Sequence, residues 1–467
     1  MLYPKPNWSR ASWATTALSA FLTCAFFESA YAQQEPPTII PRGGPPAAGT
    51  DAIPYNTWLL YPSLNIFTQY SNNYFLSPIA KIAGWSFGET PKITAEWSNG
   101  IHTTTLFGSF THIDYPTHNE VNTNDGQATF TQVYAPLRDL SFTFLGDYLH
   151  QTIAPGLTSA IPAPISSTAA TILPNGNTVL PNGNIVSPSG QVVGQVGPAF
   201  NVGALSVVNP YDAYTATGSV QKLFRDGIVT LSGSILRQNY EELASESRDF
   251  TAKTLREDMS FWLGSVLYAY SDGAFTKNAN TAPTPDSHAY RVVGGLGTRQ
   301  FSLFRTSLYV GYQGSQSAGS ASAGGIVYGG ALAYYPTPLW TIVAHADVTV
   351  NRAPAGALPS TQAINIPAPT PIQVSTSSST QITTSTLSSE YQITPQWIAS
   401  ELMGYTNTVF LGSPSWEDAW FSVTSLRYDI WRDLSLTWQY QYTGIVSNLP
   451  QTSTNRNFIS MSASYKF

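Results

Sequence analysis

A two-residue alternation of apolar and polar side chains, sustained over long segments, constrains this chain more than any other feature. Leu434, Leu436, Trp438, Tyr440 and Tyr442 alternate with Ser435, Thr437, Gln439 and Gln441. Successive residues of a strand point to opposite faces, so one face is apolar and the other carries hydroxyls and amides. Leu140–Tyr148 and Trp340–Val348 repeat the pattern. Many such runs reach 11 to 14 residues, longer than the common strand of a globular sheet and suited to a tilted membrane span. Large aromatics fall near the run ends, as at Trp58, Trp97, Tyr148, Tyr335, Trp397 and Trp420, where interfacial girdles belong. Composition agrees. Charged residues make up 10% and aromatics 13%, against about a quarter charged in a soluble domain.

Past the first 27 residues no run of 18 apolar residues occurs. Helical spans are therefore not expected, and a closed barrel is the membrane solution that leaves no strand edge in lipid. The predicted fold is all-β: a transmembrane antiparallel up-and-down β-barrel of 18 strands, with 16 as the alternative. The strands are placed near 58–70, 83–97, 101–113, 125–136, 139–151, 212–224, 228–240, 248–256, 260–271, 288–300, 304–315, 324–335, 339–351, 378–393, 397–410, 418–430, 433–445 and 455–467. Tight turns such as Ser98-Asn99-Gly100 and Thr394-Pro395-Gln396 alternate with longer polar connections, the barrel layout. The least distinct turn is the one placed at Glu257-Asp258-Met259. Reading that stretch as one strand would give 17.

Lys5 and Arg10, the apolar stretch Ala11–Phe27 and Ala30-Tyr31-Ala32 predict a cleaved signal peptide over 1–32. Residues 33–54 are rich in Pro, Gly and Ala and predict an extended periplasmic tether, too short for a plug. The barrel is assigned to 55–467, with long external loops at 152–211 and 352–377. The first of these contains Leu173-Pro174-Asn175-Gly176 and Leu180-Pro181-Asn182-Gly183, a near repeat that predicts successive tight turns.

The formal charge is −6. Loss of Lys5, Arg10 and Glu28 with the leader changes it by −1, to −7. No basic stripe is present, so nucleic acid is not an expected partner. The single Cys24 leaves with the leader, and no disulfide framework is expected. There is no phosphate-binding glycine loop, dinucleotide-binding glycine pattern or paired His/Cys zinc motif. The six histidines, His102, His112, His118, His150, His288 and His345, are scattered. No cofactor, no metal and no enzymatic activity are expected.

By the alternation, Lys92, Glu96, Asp147, Arg291, Arg299, His345, Asp347, Glu401, Arg427 and Asp429 are expected to point inward as pore-lining groups. They form no ring of one sign, so weak ion selectivity is expected of an open pore, and cross-lumen ion pairs of a closed one. The C-terminal Tyr465-Lys466-Phe467, with Tyr465 and Phe467 on one face, resembles the signal read by the outer-membrane barrel-assembly machinery.

Tyr290-Arg291-Val292-Val293-Gly294-Gly295-Leu296 and Tyr334-Tyr335-Pro336-Thr337-Pro338-Leu339-Trp340 resemble the putative β-barrel porin type 2 family. So do Ser71-Asn72-Asn73-Tyr74-Phe75 and Trp97-Ser98-Asn99-Gly100-Ile101-His102. The resemblance spans about 55–467. It implies an outer-membrane barrel and a setting near exopolysaccharide export. The expected function is a passive channel for small polar solutes in the cell outer membrane. The alternatives are an accessory barrel for exopolysaccharide export and a structural surface-adhesion barrel. Expected partners are outer-membrane lipid, the assembly machinery, small polar solutes or polysaccharide, and further copies of the chain as a homo-oligomer.

Overall fold

The computed structural model describes residues 52–74, 81–119, 122–153, 209–241, 249–281, 286–298, 303–317, 323–352, 379–411, 414–448 and 453–467, and short strands at 171–172, 178–179, 184–186 and 192–195. The predicted leader, most of the tether and of the two long loops, and Arg299 lie outside the described residues.

Eighteen long antiparallel strands close into one barrel. They are β1 (Trp58–Ser71), β2 (Gly84–Ser98), β3 (His102–Asp114), β4 (Thr123–Leu137), β5 (Leu140–Ile153), β6 (Asn209–Phe224), β7 (Gly227–Tyr240), β8 (Phe250–Trp262) and β9 (Leu267–Asn280). There follow β10 (Ser287–Thr298), β11 (Phe304–Ser317), β12 (Ala323–Thr337), β13 (Trp340–Arg352), β14 (Ser379–Gln392), β15 (Trp397–Leu411), β16 (Trp416–Asp429), β17 (Leu434–Ser447) and β18 (Thr454–Lys466). Each pairs with its sequence neighbours, and β1 pairs with β18 to close the ring. Short turns gather at one end and long connections at the other, termed the turn end and the loop end.

The expected strand count holds, but one turn moves. Glu257-Asp258-Met259 lies inside β8, and the chain reverses at Leu263–Val266, where Gly264 has φ +153°. β9 then runs to Asn280, through a segment expected to be a connection. The polar run imitated a turn because Asp258 points inward and pairs with Arg256. Polarity there reflects the lumen.

The outward face carries the apolar belt. Leu255, Val292, Leu308 and Ile326 are 57%, 62%, 68% and 65% exposed. An aliphatic surface so bare is the contact face of a lipid-embedded barrel. Cross-strand aromatic pairs bound the belt. Trp58–Trp97, Phe304–Tyr334 and Trp397–Tyr428 sit at the turn end, with ring centroids 6.5, 4.7 and 4.4 Å apart. Tyr70–Trp85, Tyr148–Tyr214 and Tyr405–Trp420 sit at the loop end, at 5.3, 5.2 and 6.0 Å.

The chain enters through a small hairpin. Ile53–Tyr55 folds back on Trp58–Leu60 around Asn56, which adopts φ 55°, a left-handed conformation that Asn tolerates. This short strand pairs with the start of β1, below the point where pairing with β18 ends at Ser63. The last residues of the expected tether, Ile53 and Pro54, are thus part of the sheet.

Within the longest loop, Thr171–Ile172, Thr178–Val179, Asn184–Val186 and Val192–Gln195 pair in succession as a separate four-stranded antiparallel sheet. The Asn175-Gly176 and Asn182-Gly183 turns expected from the sequence lie outside the described residues.

Candidate pore lining

Residues directly opposite across a ladder share a face, so the register assigns every strand side chain to lumen or lipid. Lys92, Glu96, Asp147, Arg291, His345, Asp347, Arg427 and Asp429 lie on the inward face. Glu401 does not. It is directly opposite Thr424 and Ser389, on the face of Met403, Trp420 and Tyr440. Its carboxylate accepts hydrogen bonds from Ser422 Oγ at 2.8 Å and from Thr424 Oγ1. Alternation failed here because β15 is apolar on both faces: Ile398 and Leu402 point inward, Ala399 and Met403 outward.

Several of the inward charges form pairs. On β8–β13, Arg256 binds Asp258 at 2.8 Å and also Asp272, and Arg291 Nη1 lies 3.8 Å from the other Asp272 oxygen. The Arg291 guanidinium sits 5.5 Å from the centroid of the Tyr309 ring. Two strands further on, His345 and Asp347 are 3.4 Å apart. These groups make a polar stripe across one lumen wall. On β16, Arg427 Nε donates to Asp429 at 2.7 Å near the turn end. On β5 Asp147 accepts from Thr129 Oγ1 at 2.6 Å and Gln127 Nε2 at 3.0 Å. Arg256, Asp258 and Asp272 escaped the sequence reading because the misplaced turn reset the alternation around them. Asp125, Arg305, Glu390, Glu417 and Arg456 also face inward; each is the inward residue of its strand's alternation, and counting that alternation on every strand would have found them.

Part of the lumen wall is apolar. Tyr211, Leu236, Tyr240 and Ala252 cluster at the loop end of β6–β8. Tyr211 donates its phenol to Gln151 at 2.7 Å, and Gln238 donates to the Tyr240 phenol oxygen at 2.9 Å. Inward glycines admit rings that a Cβ would exclude. A Cβ on Gly404 would meet Phe421 at 2.1 Å and one on Gly297 would meet Tyr268 at 2.3 Å.

Two of the family-like segments are architectural. Asn73 is fully buried and its Nδ2 donates to Thr454 Oγ1 and Asn455 O, both at 3.1 Å. Asn72 exchanges hydrogen bonds with the Asn457 backbone. Together they fasten the loop after β1 to β18. Asn99 Oδ1 accepts from the Ile101 and His102 amides at 3.1 and 2.7 Å, and Gly100 takes φ +87°, a side-chain-stabilised tight turn.

Burial pushes the Tyr115 phenol up to about 12; it stands after β3, edge-on to Tyr74 at 5.0 Å. At the turn end Asp139 is held below the usual carboxylate range, first by its hydrogen bond from Lys222 Nζ at 2.5 Å.

No curated protein matches the chain in sequence. Among solved structures it is similar to a BenF-like porin from Pseudomonas fluorescens Pf-5, at 10% identity and a TM-score of 0.46, covering 87% of this chain and 99% of that one. It is similar to OpdL of Pseudomonas aeruginosa at 10% identity and 0.44, covering 88% and 98%. For the ferric citrate transporter FecA the values are 11% and 0.43, with 83% of this chain covered and only 60% of the transporter. The family described as Putative beta-barrel porin 2 matches residues 195–467, which takes in β6 to β18 and more than half of the chain. The chain therefore belongs to that family, and is a porin-like β-barrel of the outer membrane.

Proposed function

We propose that the barrel is a passive channel for small polar solutes, with the turn end in the periplasm and the loop end outside the cell. The observation that carries this reading is the lumen wall: Arg256, Asp258, Asp272 and Arg291 form a linked polar group across β8–β10, and His345 and Asp347 form a second on β13. A ring of 18 strands is wider than its own side chains fill, and leaves an aqueous passage. Paired charges of both signs on that passage favour weak ion selectivity. Lys92, Glu96, Asp147, Arg427 and Asp429 complete the proposed lining, and Tyr465 and Phe467 the proposed assembly signal. The phenyl of Phe467 packs edge-on to Tyr465 at 4.8 Å at the outward turn end.

The test is single-channel recording of refolded Gln33–Phe467 in a planar bilayer. Stable ohmic steps with a small reversal potential in a salt gradient support the channel. A folded barrel that passes no current refutes it.

A further inference from the structure

Three cations stand together on the outward face, away from the lumen. Lys253 on β8 is directly opposite Lys277 on β9, and Arg237 on β7 is opposite Thr251, two residues from Lys253. Each lies one outward position beyond a large apolar residue of its own strand: Ile235, Leu255 and Phe275, which are 50%, 57% and 49% exposed. The cations therefore mark the loop-end limit of the apolar belt, at the depth where lipid headgroups begin. Like charges directly opposite one another destabilise a ladder. Among the described residues neither lysine has an acidic partner, and Arg237 Nε donates only to the neutral Asn239, at 3.1 Å. The nearby acids Asp212 and Glu241 are engaged elsewhere. His150 Nδ1 lies 3.0 Å from Asp212 and 3.6 Å from Glu241, and Tyr148 donates to Asp212 at 2.9 Å.

A second, independent feature adjoins the cations. The outward face of β2–β7 is hollowed into a cleft of about 840 Å³. Gly108, Ala128, Gly146 and Ala216 leave its floor without bulk, and Tyr214 and Arg237 stand at its loop-end rim. A small-residue floor in an apolar belt accepts a hydrocarbon chain, and among the described residues the cations beside it have no acidic partner.

We propose that this face binds a phosphate-bearing membrane lipid, with an acyl chain in the cleft and its phosphate between Lys253, Lys277 and Arg237. The site lies outside the lumen, and its occupancy is independent of whether the barrel conducts.

The experiment is native mass spectrometry of the refolded chain in neutral detergent. Diphosphoryl lipid A, phosphatidylcholine (whose phosphate is balanced by its own choline) and inorganic phosphate serve as probes. The wild type should retain diphosphoryl lipid A and not phosphatidylcholine, and millimolar phosphate should leave the lipid in place. Lys253→Gln with Lys277→Gln should weaken retention roughly thirtyfold, about fivefold for each lysine. Without lipid the same double variant should unfold at a higher urea concentration than the wild type, because the opposed charges are gone. Lipid A should then raise the midpoint of the wild type more than that of the variant. Equal retention by the variant, equal retention of phosphatidylcholine, or displacement by free phosphate overturns the proposal. Should the double variant not refold, the single Lys253→Gln replaces it, with about a fivefold loss expected and no loss refuting.

Discussion

Asp272→Asn tests the lumen network directly. The Asp272 and Arg256 side chains are 10% and 8% exposed, so water screens them little. Asp272 contacts two guanidiniums. Arg256 keeps Asp258 after the substitution, at 2.8 Å. Arg291 has no other ion pair among the described residues, and its Nε has no hydrogen-bond partner. Removing one member of a buried pair costs about 3–5 kcal/mol, chiefly for the charge left behind. Since Arg256 retains a partner, the lower end applies, about 3 kcal/mol. The measurement is urea unfolding of the refolded barrel in phosphatidylcholine vesicles, followed by tryptophan fluorescence. Asp272→Asn combined with Arg291→Gln restores charge balance and should recover more than half of the loss. A single variant within about 0.5 kcal/mol of wild type, the ordinary range for surface substitutions, or a double variant showing additive losses, refutes the view that Asp272 is the counter-charge of this wall.

Further outcomes are expected at other sites. Glu401→Leu removes a carboxylate from the lipid-facing surface and should raise the unfolding free energy in vesicles by about 1–2 kcal/mol; destabilisation would show that its bonds to Ser422 and Thr424 outweigh its desolvation. Gly404→Ala drives a methyl into the Phe421 ring and should cost about 1–3 kcal/mol by overpacking, with Gly404→Ala/Phe421→Leu recovering most of it in the same urea titration. Because the Asp139 carboxyl is depressed by Lys222, its contribution is present above the unfolded-state value of about 3.9 and is lost as pH falls through the lower folded value. Asp139→Asn should therefore lower the unfolding midpoint at pH 7 and leave it unchanged near pH 2; a difference that persists there would refute the assignment.

The strand number and the membrane-facing alternation were legible because lipid outside and polar groups inside impose opposite chemistries on consecutive residues, as in Leu434–Tyr442. Legibility failed wherever a residue served neither face in the ordinary way. Asp258 is an inward charge that reads as a turn. Glu401 is an outward carboxylate in a strand apolar on both sides, and periodicity has no basis for placing it. The pairing of Arg256 with Asp272 joins adjacent strands, and one displaced reversal was enough to hide it. The cleft over Gly108 and Ala216 depends on which small residues fall side by side once the register is set. No single strand contains that information.

The β1–β18 ladder has a consequence for how the ring can open. It joins Ser63–Ser71 to Phe458–Lys466, nine pairs, whereas β5 and β6 are joined by fourteen. It is among the shorter ladders of the barrel and joins the first long strand to the last, so a cylinder of this kind has a preferred line of parting, much as a rolled sheet has one where its margins meet. The buried Asn73 and the Asn72–Asn457 bonds act as a clasp at the loop end of that line, and the Ile53–Tyr55 strand continues the sheet at the turn end, where β18 no longer reaches. Sideways passage between lumen and lipid, and the last act of folding, would both take place along it.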